Sequence, residues 1–203
     1  MNKGLFITLE GGEGAGKSTL IRYLAEQMEK SGRQLLITRE PGGSFLGEKI
    51  RGLLLDSQDP IDARAELLLF LAARADHLTR TIDPALSEGK VVLCDRFTHS
   101  TLAYQGYGRG LNLEELKRLC SFACHDLRPD LTLYLDVPVA IGMKRREQRS
   151  FADRMEREEI TFHEKVRAGF LDLAEEGEMV VIDASLSADV VAQSAWRHIE
   201  PLL

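Results

Sequence analysis

Nine residues, GGEGAGKST (11–19), follow directly on the apolar run LFITLE. Gly11, four residues, then Gly16-Lys17-Ser18 fit the Walker A pattern. Glycines there let the backbone wrap closely around phosphate oxygens, and the loop NH groups with the following helix N-terminus supply positive potential. Gly11, Gly12, Glu13, Gly14, Ala15, Gly16, Lys17, Ser18 and Thr19 are therefore the candidate ATP-binding residues. Lys17 is placed to reach the β- and γ-phosphates, and Ser18 to offer its hydroxyl to Mg2+. The competing reading, a flexible Gly-rich turn, fits the strand–loop–helix context poorly. The loop predicts nucleotide binding and leaves the reaction open.

The rest of the chain repeats that alternation. Apolar runs at 4–10, 33–40, 90–95, 130–136 and 178–183 read as strands. Helical patterns occupy 17–32, roughly 44–55, 61–82, 97–105, 112–126, 138–148 and 158–175, with one more helix at the C-terminus. On the first of these, Leu20, Leu24 and Met28 share a face, and Gly32 lies near its end. Nearly all-apolar strands separated by helices predict an α/β, three-layer architecture, a five-stranded parallel sheet with helices on both faces. Ligands of such sheets sit at the carboxyl ends of the strands. No repeat or linker divides the chain, and its 203 residues suit a single domain spanning 1–203.

Composition excludes some classes. Lys and Arg number 26 against 32 Asp and Glu, a formal charge of −6, which argues against a duplex nucleic-acid binder. No run approaches ~18 apolar residues, so no membrane span is expected, and the N-terminus turns polar too soon for a secretory signal. The expectation is a cytoplasmic enzyme. Cys94, Cys120 and Cys124 form no disulfide framework, and Cys120, Cys124 and His125 read better as buried helix residues than as a metal site.

Guanine-reading switches carry an Asn-Lys-x-Asp segment at a strand end, which does not occur here, and motors need more chain. A small-molecule kinase fits the size. The segments EGGEGAGKST (10–19), REPGGS (39–44), LLLFLAARADH (67–77) and DRFTHSTLAYQGYGRGL (95–111) together resemble the thymidylate kinase family, the dTMP kinases, in its bacterial form. The DRF…S…AYQG stretch is the most specific part. The resemblance implies a P-loop kinase fold, phosphorylation of dTMP to dTDP with Mg2+ and ATP, and a homodimer. Two readings compete with it: a P-loop kinase for another small acceptor, and a nucleotide-dependent switch without an acceptor.

The resemblance also assigns residues. Phe70 would stack on thymine, although LLLFL alone would make it core, and Arg74, one turn later, would donate to a thymine carbonyl. Thr101 and Gln105 would meet the polar edge of the base, with Ser100 in support. Tyr104 would pack under the deoxyribose, where a ribose hydroxyl would clash. Glu13 would meet the sugar 3′-hydroxyl. Glu40 and Arg51, in and after REPGGS, would serve the acceptor phosphate side, and Ser44 stands where the family usually has Thr. Arg96 would grip the dTMP phosphate. Asp95 ends its strand as a Mg2+ carboxylate, and Asp136 ends LYLD as its rival by the same logic.

KRREQRSFADRMERE (144–158) is basic. A charge run is usually a solvated face, but this one follows the fourth strand and a helix, where P-loop kinases carry a mobile lid. Position 14 is Gly rather than Arg, and the resemblance pairs that form with a catalytic arginine from the lid: Arg145, Arg146 or Arg149. Asp153-Arg154 would brace the lid. IDAS (182–185) is a candidate adenine-side loop.

Overall fold

The computed structural model describes residues 4–147 and 153–203. Five strands, β1 (Leu5–Gly11), β2 (Leu35–Arg39), β3 (Val91–Asp95), β4 (Leu131–Asp136) and β5 (Val180–Asp183), form one parallel sheet in the order β2-β3-β1-β4-β5. β1 is central, pairing with β3 through Leu9↔Asp95 and with β4 through Gly11↔Leu135. The strand order reverses beside β1, so the loop that follows it opens into the crevice where such sheets bind ligands.

The side-chain alternation of a strand explains the layers. Leu5, Ile7 and Leu9 point to one face and pack with Leu20, Leu24 and Met28 of α1 (Lys17–Lys30) and Val191, Ala195 and Ile199 of α9 (Ala188–Ile199). Phe6 points the other way, into a cluster with Val92, Cys94, Phe97 and Ile82. A third cluster joins α2 (Phe45–Leu55), α3 (Ala63–His77), α6 (Leu113–Ala123) and α8 (Ile160–Glu175). All residues of β1 are buried, including Thr8 and Glu10. Thr8 shares a 2.9 Å hydroxyl contact with Thr132 of β4, which satisfies both.

Expected and observed elements differ in two places. The 61–82 pattern is α-helical only to His77, then makes a π turn over Leu78–Ile82 before α4 (Asp83–Ser87). After β3, α5 (Thr98–Thr101) passes into a π segment, Leu102–Gly108. Hydrophobic periodicity near 3.6 residues does not distinguish these turns. π turns concentrate at functional sites, and the second carries Tyr104 and Gln105. Among the described residues the remaining α-helix is α7 (Val139–Arg146), and a 3-10 turn, Glu200–Leu202, follows α9. Among the described residues, no helix is long and apolar enough to cross a membrane.

Candidate active site

A cleft of about 230 Å³ opens at the carboxyl ends of β1 and β3. The loop between β1 and α1 forms one wall. Gly16 takes a left-handed conformation (φ 93°) to start α1, so the first helical NH groups face the cleft. Lys17 folds back, donating to Gly11 O at 3.1 Å, with its ammonium 3.8 Å from Asp95 Oδ1. Burial, then the neighbouring Arg96 charge, pushes the Lys17 ammonium down, against the opposing pull of Asp95, Glu13 and Glu10.

Arg96 is the centre of the opposite wall. Its φ of 71° is the left-handed region, unusual for a residue with a side chain and costing about 1–3 kcal/mol. Its NH donates to Leu9 O at 2.9 Å. The guanidinium then donates to Glu13 Oε1 at 3.0 Å and Ser100 Oγ at 3.2 Å, and lies 4.9 Å from the centre of the Tyr104 ring. Tyr104 Oη also donates to Glu13 Oε1, at 2.9 Å. Burial raises the Glu13 carboxyl, but Arg96, Lys17 and the Tyr104 hydroxyl outweigh it and hold the group below the usual range.

The strained turn is held by Glu10, which sequence reasoning left without a role. Its Oε1 accepts from Phe97 N at 2.8 Å and its Oε2 from Ser100 Oγ at 2.5 Å. An acidic residue ending an otherwise apolar strand was the available signal.

Arg74 is 2% exposed and turned inward. It donates to Glu40 Oε2 at 2.7 Å, to Phe97 O at 3.0 Å and to Cys120 Sγ at 3.6 Å. His77 Nδ1 lies 3.1 Å from the other Glu40 oxygen, and His77 Nε2 2.7 Å from Thr38 Oγ1. Glu40 is therefore held as the counter-charge of Arg74, a pairing one-dimensional spacing does not reveal. Phe70, Arg74, Thr101, Tyr104 and Gln105 all line the cleft, as do Glu40 and Arg51. Arg51 Nη1 donates to Pro41 O at 2.9 Å. Ser44 does not line it; its hydroxyl accepts from Gly47 N, capping α2, and donates to Asp76.

The two rival carboxylates separate clearly. Asp95 Oδ1 is buried in the cleft wall and, among the described residues, has no hydrogen-bond partner. Asp136 is taken up by Arg167, with both oxygens at 2.8 Å, and by the Tyr134 hydroxyl at 3.0 Å. A hard cation that takes one or two carboxylates plus phosphate oxygens fits Asp95 with Ser18, and does not fit Asp136.

The basic segment divides. Arg145 donates to Ala184 O at 2.7 Å and Ser185 O at 3.3 Å, and lines a second cleft of about 350 Å³ with Gly14, Gly16, Thr19 and Leu186. Arg146 donates to Glu156 O at 2.8 Å. Arg149 lies outside the described residues. Arg154 reaches Glu66 Oε2 at 2.5 Å and Leu54 O at 2.7 Å, and Arg109 joins Glu66 and Glu158. Asp153 and Glu156 cap each other's backbone and face the main cleft. Burial, then Glu13, pushes the Glu156 carboxyl up. Glu66 and Arg109 were not anticipated, because their side-chain partners lie 39 to 88 residues away in sequence. Glu156, bonded locally to Asp153 and Arg146, was not anticipated because a charge run does not show which of its members faces the cleft.

A phosphate loop after the central strand of a five-stranded parallel sheet, with a guanidinium site facing its lysine across one cleft, defines a P-loop phosphotransferase for a small anionic acceptor. The thymidylate kinase family model matches residues 9–195. The chain is 54% identical to a thymidylate kinase of Pseudomonas fluorescens (98% of this chain, 97% of that one) and 48% identical to one of Protochlamydia amoebophila (98% and 93%). It superposes on the crystal structure of thymidylate kinase from Ehrlichia chaffeensis with TM-score 0.79 and 34% identity, covering 97% of this chain and 99% of that one. This chain belongs to the thymidylate kinase family.

Proposed function

We propose that this chain transfers the γ-phosphoryl group of ATP to the 5′-phosphate of dTMP, giving ADP and dTDP for dTTP synthesis. The observation that carries the reading is that Lys17 and Arg96 line one cleft, Lys17 beside Asp95 and Arg96 bonded to Glu13. It supplies two adjacent anion sites, one for the donor and one for the acceptor. An oxygen of the acceptor phosphate attacks the γ-phosphorus while the bond to the β–γ bridging oxygen breaks. The acceptor is already an anion at neutral pH, so no protein nucleophile is required. Alignment and charge neutralisation are the catalytic means.

Residues 11–19 cradle the donor phosphates, and Lys17 neutralises charge on the transferring group. Mg2+, held by Ser18 and Asp95 partly through water, would screen the donor phosphates. Arg96 grips the acceptor phosphate, with Arg51 as a second cation from the side of Pro41. Glu13 and Tyr104 face the sugar, Tyr104 filling the space a 2′-hydroxyl would need. Phe70 supplies the stacking surface for the base, worth about 1–3 kcal/mol in comparable sites. Arg74 and Gln105 address its polar edge, with Glu40 orienting Arg74 and Thr101 and Ser100 shaping the wall.

Arg145, bonded to the 184–185 carbonyls beside the phosphate loop, serves the adenine side. Arg146 and Arg149 remain the lid arginines for the transferring phosphoryl group, a role worth about 10³–10⁵ in rate in related enzymes. The segment near 144–158 is the lid, and residues 1–203 act as one domain. The three cysteines are buried and free, in keeping with a reducing cytoplasm.

The test is turnover with purified protein, Mg2+ and ATP against dTMP, dUMP, the ribose analogue of TMP and thymidine. Formation of dTDP from dTMP, with the ribose form slower, is expected. Phosphorylation of thymidine in place of dTMP would sink the proposal.

A further inference from the structure

Glu66 stands in the first turn of α3 and is fully buried. Its Oε1 accepts from Gln105 Nε2 at 2.8 Å and Arg109 Nε at 3.2 Å. Its Oε2 accepts from Arg109 Nη2 at 3.1 Å and Arg154 Nη2 at 2.5 Å. Each of these partners donates. Burial pushes the Glu66 carboxyl up, but the bonds from Arg109, Gln105 and Arg154 prevail and hold it ionised.

An ionised carboxylate only accepts hydrogen bonds, whereas a primary amide has a donating NH2 and an accepting oxygen that exchange places on a 180° flip. Against Glu66 one orientation of Gln105 survives. The NH2 must face the carboxylate, because the flipped amide would set a carbonyl oxygen against an anion in a buried site. Gln105 is 1% exposed and lines the acceptor cleft, so the end turned away from Glu66 is its oxygen.

We infer that Glu66 is a positioning residue that locks the Gln105 amide with its oxygen toward the acceptor base, so that this position accepts a hydrogen bond and is matched to a pyrimidine bearing a proton on N3. The inference rests on the proposed placement of the base beside Phe70 and Gln105. Thymine and uracil carry the N3 proton at neutral pH, whereas cytosine presents a lone pair there. A locked acceptor therefore rejects cytosine without any steric contact, since two lone pairs would be opposed in a dry pocket. Such a mismatch costs about 1–3 kcal/mol, or roughly five- to 150-fold.

E66Q tests it. The new side chain's oxygen stays at the Oε2 position between Arg109 Nη2 and Arg154 Nη2, which turns its NH2 toward Gln105 and gives up the 3.2 Å bond from Arg109 Nε. The Gln105 amide then flips and presents NH2 to the base. Wild-type and E66Q proteins are compared by kcat/KM for dTMP, dCMP and N3-methyl-dTMP. The expected result is a fall of about tenfold or more in the dTMP-to-dCMP ratio, and a smaller penalty for N3-methylation in E66Q than in wild type. Equal losses for all three acceptors, with the ratio unmoved, would overturn the inference and leave dTMP phosphorylation standing. Absence of wild-type turnover on dTMP would instead overturn the reading on which it rests, and the inference with it.

Because Glu66 also anchors Arg109 and Arg154, a measurement on the unsubstituted protein stands beside the variant. The Gln105 side-chain 15NH2 resonances, assigned by their loss in Gln105→Met, should stay exchange-protected when dTMP is titrated in, and the thymine N3 imino proton should become exchange-protected and move downfield as the amide oxygen accepts it. Loss of protection of that NH2, or an imino proton in the complex that exchanges as fast as in free dTMP, would overturn the inference even if E66Q does not fold.

Discussion

Two aspartates show what a single residue's neighbours decide. Asp95 and Asp136 each end a buried strand, β3 and β4, and are equivalent in sequence pattern. Asp95 keeps a buried oxygen that, among the described residues, accepts no hydrogen bond and lies only within ion-pair range of Lys17, whereas Asp136 is consumed by a bidentate contact with Arg167. Asp95→Asn is expected to lower turnover about a hundredfold or more, since a metal's charge stabilisation is worth several kcal/mol. Asp136→Asn should leave turnover within a few-fold but cost about 1–2 kcal/mol of stability, a charged hydrogen-bond contribution reduced for partial exposure. The Arg167 hydrogen bond holds the Asp136 carboxyl below its usual range. That stability is therefore present above the unfolded value of ~3.9 and lost as pH falls through the lower folded value. Urea midpoints of wild type and Asp136→Asn should differ by a constant amount from pH 7 to about 5, begin to approach each other below about 4, and converge only below the lowered folded value. Equal losses of turnover in the two variants would refute the assignment.

Between elements, the closest constraint lies where α7 meets the phosphate loop. A Cβ on Gly14 (φ 68°) would stand 2.1 Å from Gly142 O, and a Cβ on Gly142 would stand 2.2 Å from Glu13 O. Backbone presses on backbone, so position 14 has no room for a side chain in this fold. That is a steric reason for the glycine, separate from the pairing of Gly14 with lid arginines that the family resemblance implies. Gly142→Ala must move the loop or α7. Overpacking of this kind costs about 1–3 kcal/mol, and affinity for a non-hydrolysable ATP analogue, read by calorimetry, should weaken about tenfold. Gly52→Ala on α2, whose added Cβ would meet only Asp56 Oδ2 at 3.6 Å, is the control. Unchanged ATP affinity in Gly142→Ala would show that the contact does not set the loop. The strands, α1 and the existence of helices around 45–77 were legible beforehand, because burial on one face imposes the period. The π segment at Leu102–Gly108 was not, since its turns answer to the groups it presents to the cleft rather than to a repeating apolar face.

On the scale of the molecule, α2 packs on α3 and α3 on α6, and each carries exposed large apolar side chains. Phe45 is 81% exposed, Leu53 60%, Leu68 60% and Phe122 82%. Concentration of such residues on neighbouring helices marks an association surface. A second copy of this chain is the occupant we propose, in line with the homodimer that the family resemblance implies. Sedimentation equilibrium should give a dimer at micromolar protein, and Phe122→Asp should weaken it about tenfold or more. A wild-type monomer at tens of micromolar would exclude this face as a dimer interface.

The phosphate loop and the parallel α/β class were determined by the sequence itself, whereas the acceptor-side residues were assigned only by resemblance to a family. Local backbone needs and the burial period leave a trace in the order of residue types. Tertiary structure alone decided which residues line the cleft and which hold another in place. Glu40 opposite Arg74, Glu66 behind Gln105, Glu10 under the Arg96 turn and Arg167 on Asp136 each join positions 31 to 90 residues apart. A charge in a buried site takes its role from the partner that neutralises it, and that partner is chosen by the packing of the sheet and its helices rather than by any spacing along the chain.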